Sequence, residues 1–280
     1  MAWTVIGQSV MGTSHERRSQ PCQDAWAWKE INGDPLGDQS GGQAGNHLCV
    51  AVADGAGSAT HSDLGAKVAV ATAVEQIAQR IAEISSKSKS KSESHKNLEL
   101  EGWRSPLLDV LENVQTALNL TAQQQDITPR DLACTLLIML WTPLGIATLQ
   151  VGDGAIVGRD QTGQMVALTQ PHQGEYANQT IFVVEDAAAD NAQFVTWPFS
   201  SEPLSHVALF SDGLQRLALE LPSGKPFSPF FDPLFGFLDQ VKQTSMQGDA
   251  GETLEKFLRS PRVTARTDDD LTLVLIKKQD

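Results

Sequence analysis

Cysteine is scarce in this sequence. Cys22, Cys49 and Cys134 are the only three in 280 residues, too few and too scattered for a disulfide framework or a thiolate zinc site. Basic charge is also in short supply: 21 Lys and Arg face 34 Asp and Glu, a net charge of −13. Such an exterior repels nucleic acid and anionic membrane surfaces, so neither is expected as a partner. No apolar run approaches the ~18 residues that would suggest a membrane span. The N-terminus lacks a basic start followed by an apolar signal core. The expectation is a soluble, cytoplasmic protein in a reducing compartment. Also missing are a Gly-Lys-Ser/Thr phosphate loop, a nucleophile-elbow serine and an HExxH zinc motif.

What is present is an ordinary globular composition, 41% hydrophobic and 20% charged, with enough apolar content for a sizeable core. Apolar runs extend from Trp3 to Ile276, which favours one domain over residues 1–280 using both chain ends. Short runs with β-branched content predict strands at Leu48–Ala53, Thr135–Trp141, Ile146–Val151, Thr180–Val184, His206–Phe210 and Leu271–Ile276. Trp26 and Trp28, alternating with alanines, suit another. Helical spacing marks Asp63–Ile84 and Pro106–Gln125, with further candidates at Phe230–Thr244 and Glu252–Arg259. Helices fall between groups of strands rather than after each one. That order predicts an α+β protein with antiparallel sheets and helices packed outside. A Ser/Lys tract begins at Ser85, and residues 85–101 read as a flexible insertion.

Three apolar runs each deliver an aspartate followed by glycine: Asp54-Gly55, Asp153-Gly154 and Asp212-Gly213. A fourth strand, beginning at Leu271, follows Asp268-Asp269-Asp270. Taken singly, each Asp-Gly is a turn after a strand. Taken together, strands that deliver Asp54, Asp212 and Asp269 to one place would create strong repulsion. A hard divalent cation with oxygen ligands relieves it, and magnesium and manganese fit. Two such cations can activate water against a phosphate ester without a protein nucleophile. The overall acidity does not exclude a phosphorylated substrate, because bound cations invert the field locally.

These residues resemble the protein phosphatase 2C-type, metal-dependent serine/threonine phosphatases, in detail their bacterial branch. The carrying segments are Gly12–Asp24, Ala53–Ser58, Val151–Asp153, Ser211–Gly213 and Asp268–Val274, which come in the family's order. The resemblance implies a β-sandwich of two antiparallel sheets flanked by helix pairs (αββα), with a binuclear Mn or Mg centre at one edge. It implies hydrolysis of phosphoserine and phosphothreonine on proteins by a metal-bound hydroxide, with phosphorylated proteins as partners. A monomer is expected.

Residue by residue, Asp54 matches the bridging metal ligand, Gly55 a carbonyl ligand, and Asp212 and Asp269 the remaining ligands, with Asp268 as the slipped alternative. Asp131 matches the aspartate associated with a weakly bound third metal; a loop aspartate is the other reading. Asp24 matches the carboxylate that orients metal-bound water, and Arg18 is the candidate phosphate-binding arginine, beside Arg17. Asp153 is expected to support the fold rather than bind metal. The 171–180 segment falls where the family has a variable flap. Three departures stand out: Gln23 replaces a frequent glutamate, Ala56 stands where animal members carry a histidine, and the usual spacing of the phosphate arginine lands on Ser19. His15 and His61 read as exposed loop histidines. The departures motivate a second reading, a catalytically weak or inactive phosphoprotein-binding module.

Overall fold

The computed structural model describes residues 3–32, 46–88, 100–171, 180–200, 203–241 and 247–279. In chain order the first half runs β1 (Trp3–Val10), α1 (Thr13–Arg18), β2 (Ala25–Ile31), β3 (His47–Ala53), α2 (Ser62–Ser88), α3 (Arg104–Gln125), β4 (Leu136–Trp141) and β5 (Gly145–Val151). There follow β6 (Ala155–Asp160), β7 (Met165–Ala167), β8 (Gln193–Pro198), β9 (Leu204–Phe210) and α4 (Gln215–Ala218). The chain then forms β10 (Leu219–Glu220), β11 (Lys225–Pro226), α5 (Ser228–Gln240), α6 (Gln247–Leu258), α7 (Pro261–Thr264) and β12 (Leu271–Lys278).

Two five-stranded sheets result, one ordered β1-β12-β9-β6-β7 and the other β2-β3-β4-β5-β8. All of their pairings are antiparallel. β1 beside β12 joins the two ends of the chain in one sheet. Among the described residues no helix is long and apolar enough to cross a membrane.

Alternation along each strand explains the layers, because successive side chains point to opposite faces. Leu48, Val50 and Val52 of β3 meet Val207 and Leu209 of β9 and Val274 and Ile276 of β12 between the sheets. The opposite face of β3, with Cys49, Ala51 and Ala53, packs under Ala66, Ala69, Val70 and Ala73 of α2. Small residues on both sides let helix and sheet approach closely. On the other sheet, Ala208, Phe210, Leu273 and Leu275 pack against Phe231, Leu234 and Phe235 of α5 and Leu254 of α6. Strands covered on both faces read as continuous apolar runs, as Leu48–Ala53 does. The layers are the expected αββα sandwich.

Several boundaries differ from the sequence reading. Thr180–Val184 is not a strand. Its Val183 N–H donates to the Cys134 carbonyl, and the Phe182 N–H is taken by the Glu185 carboxylate, so no ladder can form. α3 starts at Arg104, placing Pro106 in the first turn, where a missing N–H costs little. α2 continues to Ser88, so the Ser/Lys tract starts on a helix, while 89–99 lie outside the described residues. Most of the expected flap, 172–179, and the tail of the Phe230–Thr244 helix, 242–244, also lie outside them. β8 gives little alternating signal because every residue from Gln193 to Trp197 is half-buried at the sheet edge.

Register brings the functional carboxylates to one end of the sandwich. Ala25 pairs with Ala53, which sets Asp24 and Asp54 on neighbouring strands. Ala155 pairs with Phe210, which sets Asp153 and Asp212 at the same end. Leu273 also pairs with Phe210, so the aspartates before β12 rise beside Asp212.

Candidate metal centre

Carboxylate oxygens of Asp54, Asp153 and Asp212 all lie within 4.8 Å of one another. Each sits just beyond a strand, on a turn that backbone constraints hold in place. The Asp54 N–H donates to Thr135 Oγ1 at 3.0 Å, and the Asp54 carbonyl accepts from the Thr135 N–H at 2.8 Å. Gly55 must be glycine: a Cβ there would stand 2.8 Å from both the Gln23 carbonyl oxygen and Ser62 Cβ. Asp153 follows Gly152, whose φ of +102° and 2.5 Å approach to Thr135 Cγ2 leave no place for a side chain. Asp153 Oδ2 accepts from Thr180 Oγ1 at 2.7 Å.

Burial above all, then the charges of Asp24, Asp212 and Asp269, holds the Asp54 carboxyl well above the usual range. Asp212 is pushed up to about 6, first by burial and then by Asp153 and Asp269 against its own hydrogen bonds. Burial likewise pushes Asp24 up to about 7, although hydrogen bonds from Ser211 and Thr272 pull the other way. Burial is also the main cause that raises Asp269, whose charge is felt by both Asp54 and Asp212. Four carboxyl groups thus resist ionisation together, as like charges crowded into a poorly solvated site must.

Three buried oxygens at this end, Gln23 Oε1, Asp24 Oδ1 and Asp212 Oδ1, have no hydrogen-bond partner. Native interiors rarely leave such atoms unsatisfied. An all-oxygen set with orphaned acceptors fits hard divalent cations, which neutralise the crowded charge and complete these oxygens at once. Gln23 presents its Oε1 among these buried oxygens.

Other predicted residues fall elsewhere. Asp131 is not in the three-carboxylate group: its side chain accepts from Thr60 Oγ1, the Thr128 N–H and Thr128 Oγ1. It closes the capping box of the turn Pro129–Leu132. Asp153, expected from the sequence to support the fold, lies in the three-carboxylate group. Arg17 and Arg18 are exposed in the last turn of α1, where Arg17 Nη2 donates to Thr13 Oγ1 at 3.3 Å. Helix α1 ends because Ser19 turns left-handed, at φ 54°. His15 is not an exposed loop residue. It is buried in α1, with Nδ1 2.9 Å from Asp270 Oδ2. No local pattern announces that pair, since its members are separated by 255 positions.

The sequence profile described as protein phosphatase 2C matches residues 11–259. The chain is 35% identical to serine/threonine-protein phosphatase 3 of Escherichia coli (strain K12) over 285 residues, covering 98% of each chain. Its fold is shared by a serine/threonine phosphatase from Staphylococcus aureus, at TM-score 0.57 and 13% identity over 100% of this chain and 96% of that one. PppA of Pseudomonas aeruginosa is similar too, at TM-score 0.56 and 15% identity over 99% and 98% of the two chains. With its acidic centre at one end of an αββα sandwich and a profile match spanning most of its length, the chain belongs to the protein phosphatase 2C family.

Proposed function

We propose that this enzyme removes phosphate from phosphoserine and phosphothreonine in proteins, with manganese or magnesium as its resident cation. The observation that carries the reading is the meeting of Asp54, Asp153 and Asp212 within 4.8 Å, beside orphaned oxygens of Asp24 and Gln23. When bound, divalent cations offset phosphate charge and acidify water at this site.

Asp54, Asp212 and Asp269, with the Gly55 carbonyl, hold the cations, and Asp153 joins them in place of Asp131. Asp24 is anchored through Oδ2 by Ser211 Oγ at 2.7 Å, leaving Oδ1 free to orient the attacking water and take its proton. Arg18 grips the phosphate, since a guanidinium meets phosphate oxygens in a bidentate fashion. Ala56 has no proton to give, so the leaving oxygen is protonated by another group.

Phosphate release from p-nitrophenyl phosphate and from a phosphothreonine peptide tests the reading, with and without manganese or magnesium. Activity is expected only with metal, and Asp54→Ala and Asp212→Ala are expected to lose at least about 10²-fold while remaining folded. Full activity in either variant, or in excess chelator, overturns it. The replacement of a family carboxylate by Gln23 favours a second reading, a phosphoprotein-binding module without turnover. Peptide binding with neither metal uptake nor phosphate release distinguishes that case.

A further inference from the structure

Asp270 does work that its neighbour Asp269 does not. It is 2% exposed, and both of its oxygens point away from solvent into a set of protein donors. Oδ1 accepts the Gly12 N–H at 2.6 Å, while Oδ2 accepts the Gln23 N–H at 2.6 Å and His15 Nδ1 at 2.9 Å. One carboxylate therefore ties together three elements: the start of α1, the loop leading to Asp24, and the aspartate run before β12.

The start of α1 is also laid directly on the aspartate run. The Ser14 N–H donates to the Asp268 carbonyl at 2.9 Å. A Cβ at Gly12 would stand 2.2 Å from the Asp269 carbonyl carbon, so only glycine permits this approach. α1 has six residues and no side-chain cap at Gly12. A helix so short does not hold itself together, and its direction is set by what it is fastened to. Its other described ion pair, Glu16 with Arg259 at 3.3 Å, is exposed on both sides and contributes little. The buried tether dominates.

We propose that Asp270 is a positioning residue for phosphate capture, holding the arginine-bearing helix α1 in fixed relation to Asp269, with His15 as its partner, while Asp24 keeps its own anchor at Ser211 Oγ. A carboxylate is required because all three donors need acceptors. The amide of an Asn would turn an N–H group toward another N–H. The inference rests on the reading of Arg18 as the phosphate residue, and it concerns how that arginine is placed rather than whether metal binds.

The test compares Asp270→Asn, His15→Gln, Arg18→Ala and the Asp270→Asn/Arg18→Ala double variant in the manganese-loaded enzyme. The measurements are calorimetric manganese titration, inhibition by inorganic phosphate, and KM and kcat on a phosphothreonine peptide. Asp270→Asn is expected to bind manganese within about threefold of the parent but to raise KM and the phosphate inhibition constant about tenfold, with kcat within about threefold. His15→Gln, which leaves both backbone donors in place, is expected to raise KM about threefold. The double variant is expected to be no worse than Arg18→Ala alone, because both changes remove the same grip. A raised KM in Arg18→Ala with an unchanged KM in Asp270→Asn and His15→Gln overturns the positioning role. So does a manganese affinity that falls in step with KM. An unchanged KM in Arg18→Ala instead overturns the reading of Arg18. If Asp270→Asn fails to fold, His15→Gln alone decides, and an unchanged KM there overturns the inference.

Discussion

Six of the described aspartates take four different roles according to what surrounds them. Asp54, Asp153 and Asp212 face one another, Asp24 is held by Ser211, Asp270 receives three N–H donors, and Asp131 closes a turn. Charge and residue type do not separate these roles; partners do. The contrast between Asp153 and Asp131 gives a sharp prediction. Asp153→Asn should weaken manganese binding at least about tenfold in a calorimetric titration, because it removes one anionic ligand. Asp131→Ala should leave manganese binding within about threefold and instead lower the urea unfolding midpoint, because the turn Pro129–Leu132 loses its cap. The opposite pattern would return Asp131 to the metal site.

At the scale of elements, the centre depends on turns that only glycine can make and on a sheet thin enough for α2 to lie against. Gly152→Ala forces a Cβ into Thr135 at a positive φ, and a loss of about 1–3 kcal/mol is expected from such strain. Because Thr135 also bonds the backbone of Asp54, the same variant should bind manganese more weakly, which a titration reads directly. Ala51, fully buried under α2, marks the second constraint. Ala51→Leu should cost about 1–3 kcal/mol through overpacking, with the urea midpoint as the measurement. These elements explain why strand ends were readable while strand edges were not. Leu48–Ala53 is apolar on both faces and stands out in the sequence. Gln193–Trp197 is half-buried throughout and does not, and the Thr180–Val184 run gives its Phe182 N–H to the Glu185 carboxylate rather than to a neighbouring strand.

For the whole molecule, the crowded carboxylates link stability to pH. Asp24 at about 7, Asp212 at about 6, and the raised Asp54 and Asp269 bind protons in the fold that they release on unfolding at neutral pH. Metal-free protein should therefore become more stable as pH falls from about 8 to about 6.5. Below that, His47, held down at about 4 by burial, and His206, also lowered mainly by burial, take up protons more readily when unfolded and oppose the trend. Four carboxyls outnumber two imidazoles, so thermal melts in chelator should keep rising, less steeply, down to about pH 5, and saturating manganese should flatten the rise, since cations satisfy the same carboxylates. A metal-free melt that falls steadily from pH 8 to 6 would contradict this. The net charge of −13 acts at longer range. Phosphopeptides with basic flanks should show KM several-fold below acidic ones at low salt, with the gap closing toward 0.5 M salt, where screening shortens to roughly 4 Å.

The sequence by itself determined the sandwich and most of the acidic centre, because both are written in local signals. Runs buried on two faces are apolar without interruption, and turns that present a carboxylate need Asp followed by Gly. Asp54 and Asp212 were legible for that reason. Only the tertiary structure decided which further carboxylates join them. Asp153 comes beside Asp212 through strand register, Asp131 is bonded instead by Thr60 and Thr128, and His15 finds Asp270 across 255 positions. Each of these outcomes is a choice of partner, and partners distant in sequence leave no periodicity or spacing by which to find them.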